Sequence, residues 1–437
     1  MNIYFSNLWN RLRANFWLLP TLMALFIFGL SFLTIYWDRN FENQDFLFYS
    51  IWQGDAEGAR QLLFAIASSI MTITGVVFSL TIVSLSLAST QHGSGIIGNF
   101  MKDIGTQIVL GTFISTSIYA LLILRTVRGN VHPFIPNLSI TVSLGLAILC
   151  LSMLVYFIHH LSVGLKSSDI ILRITNDLNH VIKDSLKDYC SIKKISKNND
   201  NEKENKFEIL STKIGYLQAI EYQSLIDIAQ KNQFTIELYV HPGSFLRQES
   251  LLAKIASSDL TEEVKQSIYK SFLIGKERNS TQDIEYMIDQ VVTIALRSLS
   301  KNANDTFTAN YCIDQLGAAL CLICKKELNP PYYANNSYIK FISGPITFEG
   351  LIDASFNQIR QHGSLNPSIL IHLLETLLSI LPYTQTYDQK NSLKKHAIMS
   401  ENAGNRLLEE RDRLDVKGRF DKFNLEFEKR INEYQKK

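Results

Sequence analysis

Charged side chains are missing from four long stretches in the first 165 residues of this chain. The stretches run over residues 14–37, 61–91, 104–124 and 129–165. A helix needs about 20 apolar residues to cross the bilayer core, and each stretch is long enough. Their lack of charge excludes a purely water-soluble protein and argues against proton-coupled transport and charge-based voltage sensing. We therefore predict an integral membrane α-helical bundle of four transmembrane helices.

Signatures of catalysis, cofactor binding and nucleic-acid binding are also lacking. The sequence contains no P-loop, GxSxG or HExxH pattern, and its net charge is only +2. We expect no enzymatic activity, no cofactor and no nucleic-acid partner. The five cysteines have no framework spacing, which is typical of a reducing compartment. Cys321 and Cys324 would share one face of a helix, either as structural thiols or as half of a metal or redox site.

The basic residues that flank the spans predict the orientation of the bundle. On one side lie Arg11, Arg13, Lys102, Lys166, Arg173 and Lys183, and on the other lie Arg39, Arg60, Arg125 and Arg128. The first side is therefore expected to be cytoplasmic. An even number of spans then places both termini, and everything after residue 166, in the cytoplasm.

The rest of the chain divides by composition. Residues 1–166 form the predicted membrane domain, and residues 167–190 are predicted to extend its fourth helix, because Ile174, Leu178 and Ile182 keep a helical spacing. Residues 191–206 alternate lysine, asparagine and acidic residues, so they cannot bury a core and are read as a polar linker.

Beyond the linker we predict a cytoplasmic α+β domain. Residues 207–280 are expected to form a β-rich subdomain with a small β-barrel-like part, with strands over 207–220, 234–240, 244–255 and 267–275. Residues 281–385 have a helical pattern, and residues 386–437 predict one charged amphipathic helix. The domain thus ends in a helical C-terminal part.

The second span has an organised polar face. At 100° per residue, six small or hydroxyl-bearing residues fall within about 60° of one another. They are Ser68, Thr72, Gly75, Ser79, Ser86 and Thr90. This hydroxyl stripe indicates either close helix packing inside the bundle or the water-lined wall of a pore built by several copies. A weaker polar face on the third span, Thr112, Ser115, Thr116 and Tyr119, could serve either role.

A second candidate site lies in the soluble part, where polar residues occupy helix-breaking contexts. The residues are Arg278, Gln282, Arg297, Asn304, Asp305 and Thr308. Asp305 precedes Thr308 by three residues, a spacing that predicts a helix N-cap. Arg297 and Asn304 beside that helix start could bind a small anion. The alternative is a plain cap and loop.

Several short motifs carry a resemblance to a known family. They include GAR at 58–60, TGVVFS at 74–79, QIVLG at 107–111, GKER at 275–278 and ALRSLS at 295–300. The chain resembles, over roughly residues 5–385, the bacterial predicted membrane-protein family catalogued as domain of unknown function 2254. The resemblance implies a bacterial inner-membrane protein of this architecture and brings no reaction with it.

Two functions follow as hypotheses. The first is a homo-oligomeric ion channel or pore in the lipid bilayer, with a cytoplasmic domain that assembles or gates it. The second is a non-conducting membrane-anchored scaffold or sensor of a small ligand or ion. The geometry of the oligomer separates them: a central axis lined by Ser68, Thr72, Ser79 and Ser86 favours the first, and burial of those residues inside each protomer favours the second.

Overall fold

The computed structural model describes residues 16–40, 54–92, 103–128, 134–164, 166–188, 206–257, 260–328, 332–334, 337–341 and 346–435. The chain forms two compact units, Met1–Lys166 and Ser167–Lys437. The first is a bundle of apolar helices and the second is an α+β unit.

The first unit contains helices α1 (Leu18–Asn40), α2 (Ala56–His92), α3 (Ile104–Thr126) and α4 (Asn137–Gly164). Helix α3 is central: it packs against the other three, and 67% of its most apolar segment is buried, against 17% for α1. The core between the helices contains Leu63, Val77, Phe113 and Phe157. The charge-free stretches thus correspond to the helices of this bundle.

Polar groups at the helix ends hold the bundle together. The buried Asp38 carboxylate at the end of α1 accepts hydrogen bonds from the Leu138 and Ser139 amides, each 3.0 Å away, and from the Ser139 hydroxyl at 2.6 Å. It therefore caps the first turn of α4 from a different helix. At the opposite end, Asp103 caps α3 and contacts His160 of α4 at 2.8 Å.

The second unit begins with α5 (Ser167–Ser185), followed by the strands and short helices of a mixed region. These are β1 (Lys187–Asp188), β2 (Lys206–Leu210), β3 (Gly215–Ile220), α6 (Tyr222–Asn232), β4 (Thr235–Leu238), β5 (Phe245–Leu246), β6 (Leu251–Ala256), α7 (Glu262–Lys270) and β7 (Phe272–Gly275). The remaining elements are α8 (Ile284–Ser298), α9 (Thr306–Cys324), β8 (Lys326–Glu327), β9 (Tyr332–Ala334), β10 (Ser337–Phe341), α10 (Phe348–His362), α11 (Pro367–Ile380), α12 (Tyr387–Gly404) and α13 (Glu410–Gln435).

The strands of the second unit form three sheets. Their orders are β2-β6-β4-β10-β9, β5-β3-β7 and β1-β8. All recorded pairings are antiparallel except that of β10 with β4, where Ile339 lies opposite Ile236. Strands β9 and β10 come from the stretch predicted to be helical, so the β-rich part extends beyond residue 280. None of the pairings among the described strands closes a barrel, and the barrel-like part stays a prediction.

Helix α5 differs from the expected extension of the fourth span. Helix α4 ends at Gly164, Lys166 is not helical, and α5 packs on α8 and α9 of the second unit. Gly164, a weak helix former, is the last residue of α4. The helical apolar spacing was nevertheless correct, since Ile174, Leu178 and Ile182 are buried.

The predicted single C-terminal helix is two helices, α12 and α13. Thr386 and Gln389 form a capping box at the start of α12, which ends at Gly404. The Arg413 guanidinium donates to the Leu407 and Leu408 carbonyls at 2.6 and 2.8 Å, which stabilises the turn before α13. A side chain at Gly404 would collide with Val416 of α13, so the turn requires a glycine there.

Five described helices are long and apolar enough to cross a membrane, α1 to α4 and α9. The structure therefore supports a helical N-terminal region with several apolar helices and a C-terminal α+β part. The number of four spans stays a prediction.

Candidate functional site

The hydroxyl stripe lies on the outer face of its own bundle. Ser68, Thr72, Gly75, Ser79 and Ser86 are exposed, while the side chain of Thr90 lies outside the described residues. The buried face of α2 is formed by Ala59, Leu63, Ile66, Ile70 and Val77. At 100° per residue, Val77 lies about 160° around the helix from Ser79. The stripe therefore points almost directly away from the core of the protomer.

The stripe presents small side chains and hydroxyl oxygens that can accept hydrogen bonds. The Ser68 hydroxyl donates to the Ala65 carbonyl at 3.2 Å, and the Thr72 hydroxyl donates to the Ser68 carbonyl at 2.9 Å. Their protons are used by the backbone of α2, so oxygen lone pairs remain for a partner or for water. A Cβ at Gly75 would meet no atom within 4 Å. The stripe could thus accept a closely approaching helix or line an aqueous path.

The weaker polar face on α3 lies inside the bundle. Thr112, Ser115, Thr116 and Tyr119 are all buried. The Tyr119 and Thr34 hydroxyls lie 2.9 Å apart, and the Cys150 thiol lies 3.3 Å from the Thr116 hydroxyl. Because α3 is surrounded by the other three helices, this face serves helix packing in the protomer rather than an outer pore wall.

The six candidates in the second unit lie at the two ends of α8. Arg278 and Gln282 precede its first turn, whereas Arg297 is in its last turn and Asn304, Asp305 and Thr308 follow it. A 15-residue helix spans about 21 Å, so the structure does not bring the two groups into one site.

At the first end, Arg278 forms a two-pronged ion pair with Asp283. Its Nε and Nη2 atoms lie 2.7 and 2.8 Å from the Asp283 oxygens, and the Asp283 side chain is only 3% exposed. Asp283 also caps α8 by accepting from the Tyr286 amide at 3.0 Å. Gly243 has a φ of +95°, and a side chain there would collide with the Asp283 carboxylate. The pair is thus closely enclosed by its own loops.

Nearby acidic side chains interact electrostatically with the Arg278–Asp283 pair. Asp289 lies 3.4 Å from Arg278 Nη1. Burial nevertheless raises the pKa of Asp289 to about 6, and the negative charges of Glu285 and Asp283 add to the effect against the opposing charge of Arg278. Gln282 exchanges two hydrogen bonds with the Ile220 backbone, at 2.9 and 3.1 Å, and so joins this corner to β3.

At the other end, Asp305 acts as the N-cap that the spacing predicted. It accepts from the Thr308 amide at 3.0 Å, and its own amide donates to the Ser298 carbonyl at 2.8 Å. Asn304 has a φ of +44°, a left-handed conformation that asparagine tolerates better than most residues. These contacts build a tight connection between α8 and α9, and they occupy the Asp305 carboxylate.

A further polar cluster between α10 and α12 has no signal in the sequence, since its residues are more than 40 positions apart. His396 Nε2 lies 2.9 Å from Asp353, and Lys395 donates to Glu349 at 2.6 Å. The four side chains line a cavity of about 400 Å³. The His396 side chain is only 3% exposed, and this burial holds its pKa below the ordinary value, although Asp353 opposes the shift.

Two sequence patterns bear on metal and cofactor binding. Among the described residues, no group of three or more His, Cys, Asp or Glu side chains is placed to hold a metal ion; Cys324 is buried and Cys321 is partly buried on α9. Contrary to the expected lack of cofactor signatures, residues 93–98 read GSGIIG, which has the glycine spacing of a dinucleotide-binding turn. That turn follows a strand, whereas this sequence follows a 37-residue helix and lies outside the described residues.

Comparison with known proteins defines the class. The family described as "Predicted membrane protein (DUF2254)" matches residues 13–379, and the chain belongs to this family. The expected family resemblance is therefore confirmed. The chain is similar to the uncharacterized proteins Mb1321c of Mycobacterium bovis and Rv1290c of Mycobacterium tuberculosis, each 26% identical over 339 residues. The match covers 76% of this chain and 65% of each relative, so it spans somewhat less than two thirds of their length. No solved structure matches the chain.

Proposed function

We propose that this protein forms a homo-oligomeric channel, without catalytic activity or cofactor, in the bacterial inner membrane. In this proposal α2 contributes the wall of the conduit, and the α+β unit assembles or gates it from the cytoplasm. The observation that carries the proposal is the position of the hydroxyl stripe, which is exposed on the side of α2 opposite the protomer core.

The composition of the exposed surface of α2 supports an oligomer. Large apolar side chains such as Phe64, Met71 and Leu80 are exposed beside the stripe and suit contact with lipid. Hydroxyls and glycine gain little from lipid, but they permit close helix approach and can face water. Several copies arranged with their stripes inward would give an uncharged, hydroxyl-lined path, which suits passive permeation.

Four spans and cytoplasmic termini complete the proposal. Helix α9 is the least apolar of the five candidates, and it packs within the second unit against α5, α8 and α11. We assign it to the soluble unit, which leaves α1 to α4 as spans. The basic flanks support a cytoplasmic position for residues 191–206. A cysteine introduced at Asn199 should be labelled by an impermeant thiol reagent only from the cytoplasmic side; labelling only from outside would overturn this topology.

Cross-linking tests the arrangement of the copies. With Ser79→Cys on the stripe, a short thiol cross-linker should join protomers in native membranes. The matched control Leu80→Cys is also exposed, but it lies about 100° around the helix and should cross-link far less. Equal cross-linking at both positions, or none at Ser79, would contradict an assembly around the stripe.

The alternative function, a non-conducting sensor, is favoured by the cavity beside His396. A cavity of about 400 Å³ with two acids, a lysine and a histidine could hold a small polar ligand. This candidate becomes the better one if folded, oligomeric protein passes no ions under any applied potential.

A further inference from the structure

Three arginines come together where α1 and α3 end on the same side of the bundle. Arg39 is in the last turn of α1, Arg125 is in the last turn of α3, and Arg128 lies two residues beyond the end of α3 at Thr126. All three line a cavity of about 570 Å³ between the two helices. Apolar side chains, among them Phe32 and Phe134, complete the wall. A concentration of positive charge thus lies beside an apolar surface at the edge of the spans.

These charges are not neutralised by the described part of the protein. Within it, no carboxylate lies within 4 Å of the three guanidinium groups, whereas Arg60 on the same side of the bundle pairs with Glu57 at 3.6 Å. Asp38, next to Arg39 in the chain, uses its carboxylate to cap α4. The Arg39 guanidinium instead lies over the Phe134 ring, 5.7 Å from its centre. The cavity therefore offers an anion several donors that no described carboxylate occupies.

The cavity continues as a shallow apolar depression on the surface of α1, here called the α1 groove, whose lining residues all belong to α1. A second cavity of about 550 Å³ shares Phe32, Ile35 and Arg39 with the first and extends to Gly29. From Gly29 to Arg39 the helix rises about 15 Å, roughly half the hydrocarbon core of a bilayer. Phe32 and Tyr36 in this groove are more than half exposed. The groove has the length of one leaflet, with positive charge only at its headgroup end.

We propose that this groove binds one anionic phospholipid, with its phosphate between Arg39, Arg125 and Arg128 and an acyl chain along α1. The charge selects an anionic headgroup, and the apolar part of the groove favours a lipid over a free phosphate ion. Lipid binding here would fix α1 against α3. The site is independent of the stripe on α2, so it does not rest on the proposed channel.

The test uses the full chain in vesicles of phosphatidylcholine with a minor fraction of phosphatidylglycerol. After gentle extraction, native mass spectrometry gives the ratio of the two lipids that stay bound. The wild type should retain phosphatidylglycerol in clear excess over its share in the vesicle. Arg125→Gln combined with Arg128→Gln should lower this enrichment by about 25-fold, since each basic residue near an anionic surface contributes about fivefold.

Two controls make the test specific. Arg60→Gln removes a charge from the same side of the bundle but outside the cavity, and it should leave the enrichment unchanged. Arg125→Lys keeps the positive charge and should retain most of the phosphatidylglycerol enrichment. This result would show that the double glutamine variant loses enrichment because it loses charge and not because it misfolds. Unchanged enrichment in the double variant, or an equal loss in Arg60→Gln, would overturn the proposal.

A further arm separates lipid from free anion. In vesicles of phosphatidylcholine alone, millimolar inorganic phosphate should not raise the thermal stability of the wild type, whereas phosphatidylglycerol should. Equal stabilisation by inorganic phosphate would assign the site to a soluble anion and overturn the lipid proposal.

Discussion

Replacing Asp283 by alanine should loosen the helical part of the second unit. The carboxylate has two functions, because it caps α8 through the Tyr286 amide and pairs with Arg278 through two short hydrogen bonds. Both are lost together in Asp283→Ala. The first helical turn would then expose an unsatisfied donor, and a guanidinium that is only 23% exposed would lose its main partner.

The magnitude follows from the two losses. Loss of an N-cap costs about 1 kcal/mol. Breaking a buried ion pair costs about 3–5 kcal/mol, and we take about 2 here because Glu285 and Asp289 remain within 3.6 Å of Arg278. The sum of about 3 kcal/mol corresponds to a population of the opened state about 150-fold larger. Asp283→Asn keeps an oxygen for the Tyr286 amide and should cost about 2 kcal/mol, or about 30-fold.

The buried thiol of Cys312 on α9 provides the assay, since α9 packs directly on α8. Its labelling rate under native conditions, resolved by mass spectrometry, reports how often this part opens. Cys150 in the membrane bundle is the internal control and should label at an unchanged rate. A rise of less than about fivefold for Cys312 in Asp283→Ala, which is about 1 kcal/mol, would refute the reasoning.

Three further changes test other parts of the structure. The pKa of Asp289 is raised from 3.8 to about 6, so ionisation of this carboxyl group destabilises the fold as pH rises through 6. Asp289→Asn should therefore raise the thermal unfolding midpoint at pH 7.5. This gain should vanish near pH 4, where the carboxyl group is protonated in the folded protein. The pKa of His396 is lowered in the fold, so the contribution of this residue to stability is present above about pH 6.5 and is lost as pH falls below 6.5. In His396→Gln the unfolding midpoint should therefore fall less between pH 7.5 and 5.5 than it does in the wild type. In the bundle, Tyr119→Phe removes the hydroxyl group that contacts the Thr34 hydroxyl. The free energy of unfolding in detergent micelles should fall by about 0.6–2 kcal/mol. A double-mutant cycle with Thr34→Val assigns this loss to the contact.

Hydrophobic pattern alone gave much of the architecture. The charge-free stretches located α1 to α4, and the apolar spacing of Ile174, Leu178 and Ile182 gave the buried face of α5. The Asp305 cap was also readable, because a cap depends on residues three positions apart. Such features depend only on residues that are close together in the chain, so the local sequence is enough to predict them.

Contacts between residues that are far apart in the chain could not be predicted from the sequence. Strand β10 pairs with β4 about 100 residues earlier, and nothing in its local pattern names that partner. The stretch 267–275, predicted as one strand, contains β7 (Phe272–Gly275) but begins with the end of α7, which Thr261 caps and which has Glu262 and Glu263 in its first turn. That signal was available in the sequence, since acids and a threonine at a helix start are favourable.

The site shows the same division. Periodicity grouped the stripe residues on one face of α2, but it did not decide whether that face was inside or outside the protomer. The structure decided this through the opposite face, where Leu63 and Val77 are fully buried. The His396 cavity and the arginines of the α1 groove depend on contacts between separate elements, so sequence spacing could not reveal their geometry.

Ion flux through reconstituted Ser79→Leu protein tests the central claim most directly. If the stripe lines a conduit, an apolar ring at this position should stop conduction by dewetting, while the variant stays folded and oligomeric. The matched control is Leu80→Phe, an apolar enlargement on the exposed flank, which should conduct like the wild type; Val77 is fully buried in the bundle and is unsuitable as a neutral control. Undiminished flux in Ser79→Leu, or a folded wild-type oligomer that passes no ions, would contradict the channel proposal.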